Sequence, residues 1–169
     1  MKVLIAEDEY EISQAYKIEL EERGHEVMLF EDGVACFEEY KKHEDTKQNK
    51  KKLSSIDVVV LDYRIPKMDG MEVAKKILKI NPKQRIIFAS AYVKETLKDS
   101  VRQLKQPVEL LQKPFEPEIL VDMIEDTQAY DGLKSLIMNI RGFNIDNPSR
   151  EQIKELFEGL KKLQKGRTF

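Results

Sequence analysis

The feature that most constrains this chain is the alternation of short, β-branched apolar runs with longer stretches of helical periodicity. Residues 3–6, 26–30, 56–61, 85–89 and 108–112 are too short for helices and read as strands. Between them, residues 9–23 repeat apolar side chains at Ile12, Ala15, Tyr16 and Leu20 and stop at Gly24. Asp32-Gly33 opens a helix through Val34, Phe37 and Tyr40, residues 71–80 form another that ends at Asn81-Pro82, and helices are expected at about 93–104 and after Pro114. The run 56–61 is the most apolar, as a central strand covered on both faces requires. Five βα units in alternation predict an α/β fold, a doubly wound parallel sheet with helices on both sides and right-handed crossovers. Residues 41–52 break the rhythm with six lysines and two acids, and read as a solvated helix end plus a long loop, or as a docking patch for an acidic partner.

A chain of 169 residues has room for one such domain and a small appendage. The 41% hydrophobic content supports a core without staples, and the single cysteine, Cys36, excludes an internal disulfide framework. No apolar segment is long enough to span a bilayer, and the four-residue apolar run near the N-terminus is too short for a signal peptide. A cytoplasmic protein is expected. The net charge of −2 provides no general attraction to nucleic acid or membrane.

The functional information lies at the carboxyl ends of the strands. Glu7-Asp8 comes directly after the first strand, Asp62 after the third, Ser90 after the fourth and Lys113-Pro114 after the fifth. Open parallel sheets bind ligands beyond the carboxyl ends of their strands, where strand order reverses. With the order 2-1-3-4-5, three carboxylates, a hydroxyl and an ammonium share one crevice. Mg²⁺ would relieve the repulsion between the acids, since this hard cation takes carboxylates, waters and phosphate oxygens. Asp62 could then attack phosphorus to give an acyl phosphate, with Lys113 and Ser90 stabilising the transferring oxygens. Each residue alone has a plainer reading. The acids at 7–9 suit a helix N-terminus, and Asp62 could shape a turn. The coincidence of all four strand ends favours the chemical one.

The blocks Leu4-Ile5-Ala6-Glu7-Asp8-Glu9, Val60-Leu61-Asp62-Tyr63-Arg64-Ile65-Pro66-Lys67-Met68-Asp69-Gly70, Phe88-Ala89-Ser90-Ala91 and Leu111-Gln112-Lys113-Pro114-Phe115 closely resemble the receiver domains of two-component response regulators. The resemblance covers residues 1–128 and implies a flavodoxin-like five-stranded fold. It implies a phosphoacceptor at Asp62, Mg²⁺ held by Glu7, Asp8, Asp62 and the backbone carbonyl of Arg64, and supporting roles for Ser90 and Lys113. A cis bond between Lys113 and Pro114 is expected with it. It also implies a signalling protein, not an enzyme, whose partner is a sensor histidine kinase or a histidine phosphotransfer protein. Leu110 stands where the family often has an aromatic switch, and the Gly-Ala that often precedes the fifth strand is absent from residues 104–107. The bulk of Arg64 and Tyr92 predicts slow loss of phosphate.

Residues 129–169 are expected to form a helical extension. Tyr130, Leu133, Ile137 and Ile140 recur at helical spacing before Gly142, and Ser149 with Gln152 forms a capping box ahead of the stripe Ile153, Leu156, Phe157, Leu160 and Leu163. A helical hairpin of this kind could fold back on the receiver, form a homodimer or dock a partner. A DNA-binding regulator acting through these helices and a phosphorelay intermediate are the alternatives, although no arginine-rich recognition helix is present. A haloacid-dehalogenase-type phosphatase needs an aspartate two residues after Asp62, where this chain has Arg64. An FMN carrier needs a phosphate cradle where this chain has Glu7-Asp8-Glu9. A degenerate receiver acting only as a scaffold would not need the full acceptor set that is present.

Overall fold

The computed structural model describes residues 1–48, 55–91, 104, 108–128, 130 and 131. The expected helix at 93–104 apart from Leu104, Tyr92, residues 105–107, the lysines at 50–52 and the helices expected beyond residue 131 lie outside the described residues. Two units divide the chain, Met1–Val121 and Asp122–Phe169. The first holds the sheet and the strand ends with Glu7, Asp62, Ser90 and Lys113.

Five strands form one parallel sheet in the order β2-β1-β3-β4-β5: β1 Lys2–Ala6, β2 Glu26–Phe30, β3 Val58–Leu61, β4 Arg85–Ser90 and β5 Glu109–Gln112. The helices are α1 Tyr10–Glu22, α2 Gly33–Gln48, α3 Gly70–Ile80 and α4 Pro117–Glu125. Both the flavodoxin-like class and the strand order agree with the expectation from sequence. Every residue of β1, β3 and β4 is buried, whereas the edge strands β2 and β5 are partly open. That is the pattern of a parallel sheet covered on both faces, and it explains the unbroken apolar runs of the central strands.

Successive side chains of a strand point to opposite faces. Leu4, Ala6, Val59, Leu61, Ile86 and Phe88 join one cluster with Cys36 and Tyr40 of α2 and Val73, Ala74 and Ile77 of α3. Val3, Ile5, Val58, Val60 and Ile87 alternate with them and are equally buried. Helix α1 buries Ser13, Tyr16 and Leu20 and leaves Tyr10 and Ile18 exposed. Its expected apolar positions Ile12 and Ala15 are only half-buried. Ile56 is buried but precedes β3, so this strand is shorter than its apolar run.

Helix α3 starts one residue earlier than its apolar pattern. Asp69 is its N-cap and accepts a hydrogen bond from the Glu72 N–H at 2.7 Å. That start brings Gly70 against the Asp62 backbone, just after β3. A Cβ at position 70 would lie 2.1 Å from the Asp62 carbonyl oxygen and 3.0 Å from its carbon, both rigid backbone atoms. Gly70→Ala is therefore expected to cost about 2–3 kcal/mol in urea unfolding, as other forced overpacking does. A loss below about 0.5 kcal/mol would show that the α3 start moves freely away from β3.

Candidate functional site

Register decides which strand ends meet. Ala6 pairs with Leu61 and Leu61 with Phe88, so Glu7 and Asp62 are the next residues on adjacent strands. Ser90 pairs with Gln112, which places Lys113 one step beyond. The ladders continue past the strands. Asp62 N–H donates to the Ala6 carbonyl at 2.9 Å, and Lys113 N–H to the Ser90 carbonyl at 3.1 Å.

The side chains close into one hydrogen-bonded group. Lys113 Nζ lies 2.5 Å from Glu7 Oε2 and 2.7 Å from Asp62 Oδ2. The other Asp62 oxygen, Oδ1, accepts from Ser90 Oγ at 2.9 Å and from the Arg64 backbone N–H at 3.2 Å. Both oxygens of Asp62 are thus engaged, one by a charge and one by two neutral donors. Glu7 is 2% exposed and Ser90 fully buried, while the Asp62 side chain keeps 12% of its surface. Asp8, next in the chain to Glu7, is exposed.

Burial pushes the Glu7 carboxyl above the usual carboxylate range, although the Lys113 ammonium pulls it down, and the Asp62 charge adds to the rise. Burial alone would lower Lys113. Its hydrogen bonds to Asp62 and Glu7 outweigh that and hold the ammonium above the ordinary lysine value. The Lys113 ammonium is therefore held firmly between the Glu7 and Asp62 carboxyl groups.

Of the residues singled out from sequence, Glu7, Asp62, Ser90 and Lys113 come together, and the Arg64 backbone joins them. Asp8 stands outside the hydrogen-bonded group. Among the described residues no set of three or more His, Cys, Asp or Glu side chains converges as ready-made metal ligands. The Lys113 ammonium bridges the two nearest acids instead. The Lys113–Pro114 bond is cis, as expected from the resemblance.

Sequence reasoning missed the aromatic wall beside Lys113. Tyr16 of α1 stacks on Phe115 with ring centroids 5.4 Å apart and planes within 6°. Burial and the nearby Glu7, Asp62 and Glu9 carboxylates push the Tyr16 hydroxyl up, so it stays protonated. An apolar recess of about 560 Å³ opens there, walled by Ile12, Ala15, Tyr16, Phe115 and Pro117 with Glu9 and Glu11 at its edge. The half-burial of Ile12 and Ala15 reflects this recess. Only the helical spacing of Tyr16 and the aromatic after Lys113-Pro114 hinted at it.

A family model of the response regulator receiver domain matches residues 3–125. The chain belongs to this family. Among its relatives, the response regulator receiver protein CpdR of Brucella abortus is 27% identical over 127 residues, covering 73% of this chain and 93% of its own. The chemotaxis protein CheY of Bacillus subtilis is 28% identical, with 75% and 96% covered. A solved receiver domain of a sensor histidine kinase from Pseudomonas aeruginosa, described with a magnesium ion coordinated in its active site cleft, superposes with a TM-score of 0.60. It is 20% identical, with 73% of this chain and 93% of that one covered. In this receiver domain Leu110 of β5 pairs with Phe88 and packs, half-buried, against the core.

Removing the shared ammonium leaves two acids facing each other. Lys113→Met is expected to cost about 2 kcal/mol near neutral pH, less than the roughly 3–5 kcal/mol of a fully enclosed broken pair because Asp62 keeps some solvent. Glu7 then binds a proton more readily folded than unfolded, so stability falls as pH rises through the carboxylate range and recovers on acidification. Urea unfolding at about pH 5 and about pH 7 measures this. A pH-independent loss would mean that the acids do not feel each other.

Proposed function

We propose that this receiver domain stores a signal as a phosphoryl group on Asp62, with Mg²⁺ held by Glu7, Asp8, Asp62 and the backbone carbonyl of Arg64. The observation that carries the reading is the two-sided engagement of Asp62. Lys113 grips Oδ2 while Ser90 and the Arg64 N–H grip Oδ1, which aims the carboxylate from the β3 end. The donor chemistry suits a small hard cation, because buried Glu7 and nearby Asp62 repel each other and their oxygens are hard ligands. When bound, the ion neutralises charge on the transferring phosphoryl group.

The remaining roles belong to the chain. An Asp62 oxygen attacks the phosphorus of a phosphohistidine or a small phosphodonor. The P–N or P–O bond to the donor breaks with its electron pair leaving on the donor, and an acyl phosphate forms. Lys113 moves its hydrogen bond from Asp62 to a phosphoryl oxygen, and the Ser90 hydroxyl turns to another. Hydrolysis by water returns the carboxylate and inorganic phosphate. The partner supplying the group is a sensor histidine kinase or a histidine phosphotransfer protein, met in the cytoplasm. Among the described residues no helix is long and apolar enough to cross a membrane. We assign the receiver function to residues 1–128 and output through protein interaction, including self-association, to the helical extension at 129–169.

Incubating the chain with Mg²⁺ and a small phosphodonor should add one phosphoryl group by intact mass, labile to hydroxylamine and absent from Asp62→Ala. Ser90→Ala and Lys113→Met should keep the acceptor but slow its phosphorylation by about 10-fold or more, as loss of one stabilising donor does. An adduct that persists in Asp62→Ala would overturn the assignment.

A further inference from the structure

The loop from Asp62 to Asp69 is held at its ends by β3 and by the α3 cap, but its middle is held by a different part of the molecule. Gly33 N–H, from the β2–α2 junction, donates to the Pro66 carbonyl at 3.2 Å. A Cβ at Gly33 would lie 2.0 Å from the Met68 carbonyl oxygen, so the two loops touch backbone to backbone. Lys67 Nζ lies 2.6 Å from Asp32 Oδ2, whose other oxygen accepts from the Ala35 N–H at 2.8 Å at the start of α2.

Lys67 itself is strained. Its φ is +63°, and the Met68 N–H closes back on the Pro66 carbonyl at 2.7 Å, the hydrogen bond of a γ-turn centred on Lys67. Left-handed backbone is costly for a residue with a Cβ, and glycine fits such a position without penalty. A long side chain there needs a compensating contact. Its ion pair with Asp32 is largely exposed on the lysine side, and such pairs contribute little. Strain and ion pair roughly cancel, so the arrangement adds little to stability. Its effect is to select one shape of the loop that carries Arg64.

We infer that the Asp32–Lys67 ion pair is a positioning device for the cation site, clamping the β3–α3 loop to the β2–α2 loop so that the Arg64 backbone is presented in one geometry. The inference rests on the assignment of Mg²⁺ to Glu7, Asp8, Asp62 and the Arg64 carbonyl. Neither Asp32 nor Lys67 touches the ion; both act through the loop backbone.

Calorimetric titration of the full chain with Mg²⁺ alone tests it, alongside thermal unfolding. Asp32→Asn, which keeps an acceptor for the α2 cap, and Lys67→Gly, which relieves the strain, should each weaken Mg²⁺ binding by about 3- to 10-fold. Thermal stability should fall only slightly in the first, which loses the ion pair and keeps the strain, and stay level in the second, which loses both. Affinity then drops where stability does not, which a merely structural role would not produce. Lys67→Arg, which keeps the charge, should restore affinity to within about twofold. If wild type binds Mg²⁺ and both loosened variants match it, the positioning role is overturned and the site assignment stands. If wild type binds no Mg²⁺, the site assignment falls and the inference falls with it.

Discussion

One ammonium holds the functional end of this molecule together. Lys113 lies between Glu7 and Asp62, on three different strand ends, and without it two carboxylates would face each other in a largely dry crevice. Carboxylates removed from water must be paired or protonated. Burial raises Glu7 above its ordinary range despite the pull of Lys113, and the hydrogen bonds to both acids hold the Lys113 ammonium firmly. A site with two acids sharing one cation, and a third acid exposed beside it at Asp8, is short of positive charge.

The sheet makes this arrangement possible because its central strands are stiff and their register is unambiguous. β1, β3 and β4 are buried along their whole length, and a slip of one residue would turn each apolar side chain to the opposite face. Both faces are covered, so a slip is not resisted by simple polar exposure. It is resisted by the shape of the packed layers, in which Phe88, Leu61 and Ala6 lie in one row. Glu7 and Asp62 inherit their proximity from that row. Ser90 closes the buried strand β4 and reaches Asp62 from the other side.

Much of this could be read from the residues. Alternation of runs such as Val58-Val59-Val60-Leu61 with helical stretches signals a parallel sheet because burial on both faces leaves no polar position in the strand. The site was legible because a βα unit ends each strand at the same edge, so residues far apart in the chain need no long-range information to be grouped. Other features were closed to such reading. Glu7 and Asp8 look equivalent in sequence, yet the first is buried against Lys113 and the second, at the bend after β1, is exposed. The need for glycine at position 70 depends on how near α3 comes to the Asp62 backbone, a tertiary distance. The Tyr16–Phe115 stack joins α1 to the loop after β5, and a helical repeat marks Tyr16 as buried without naming its partner. The strained Lys67 is hidden most deeply, since a lysine in a loop ordinarily signifies only solvent.

These differences separate two kinds of interaction. The buried strands supply the bulk of the stability through apolar area, each fully buried aliphatic side chain contributing about 1.5–3 kcal/mol. The loop contacts at the site are few and individually worth about a kilocalorie, and some, such as the γ-turn at Lys67, run against local preference. A stiff sheet tolerates such opposing terms because no single loop contact is needed to keep it folded. A signalling domain requires that separation: the part that must not move is held by area, and the part that must respond is held by a handful of polar contacts of comparable, opposing size.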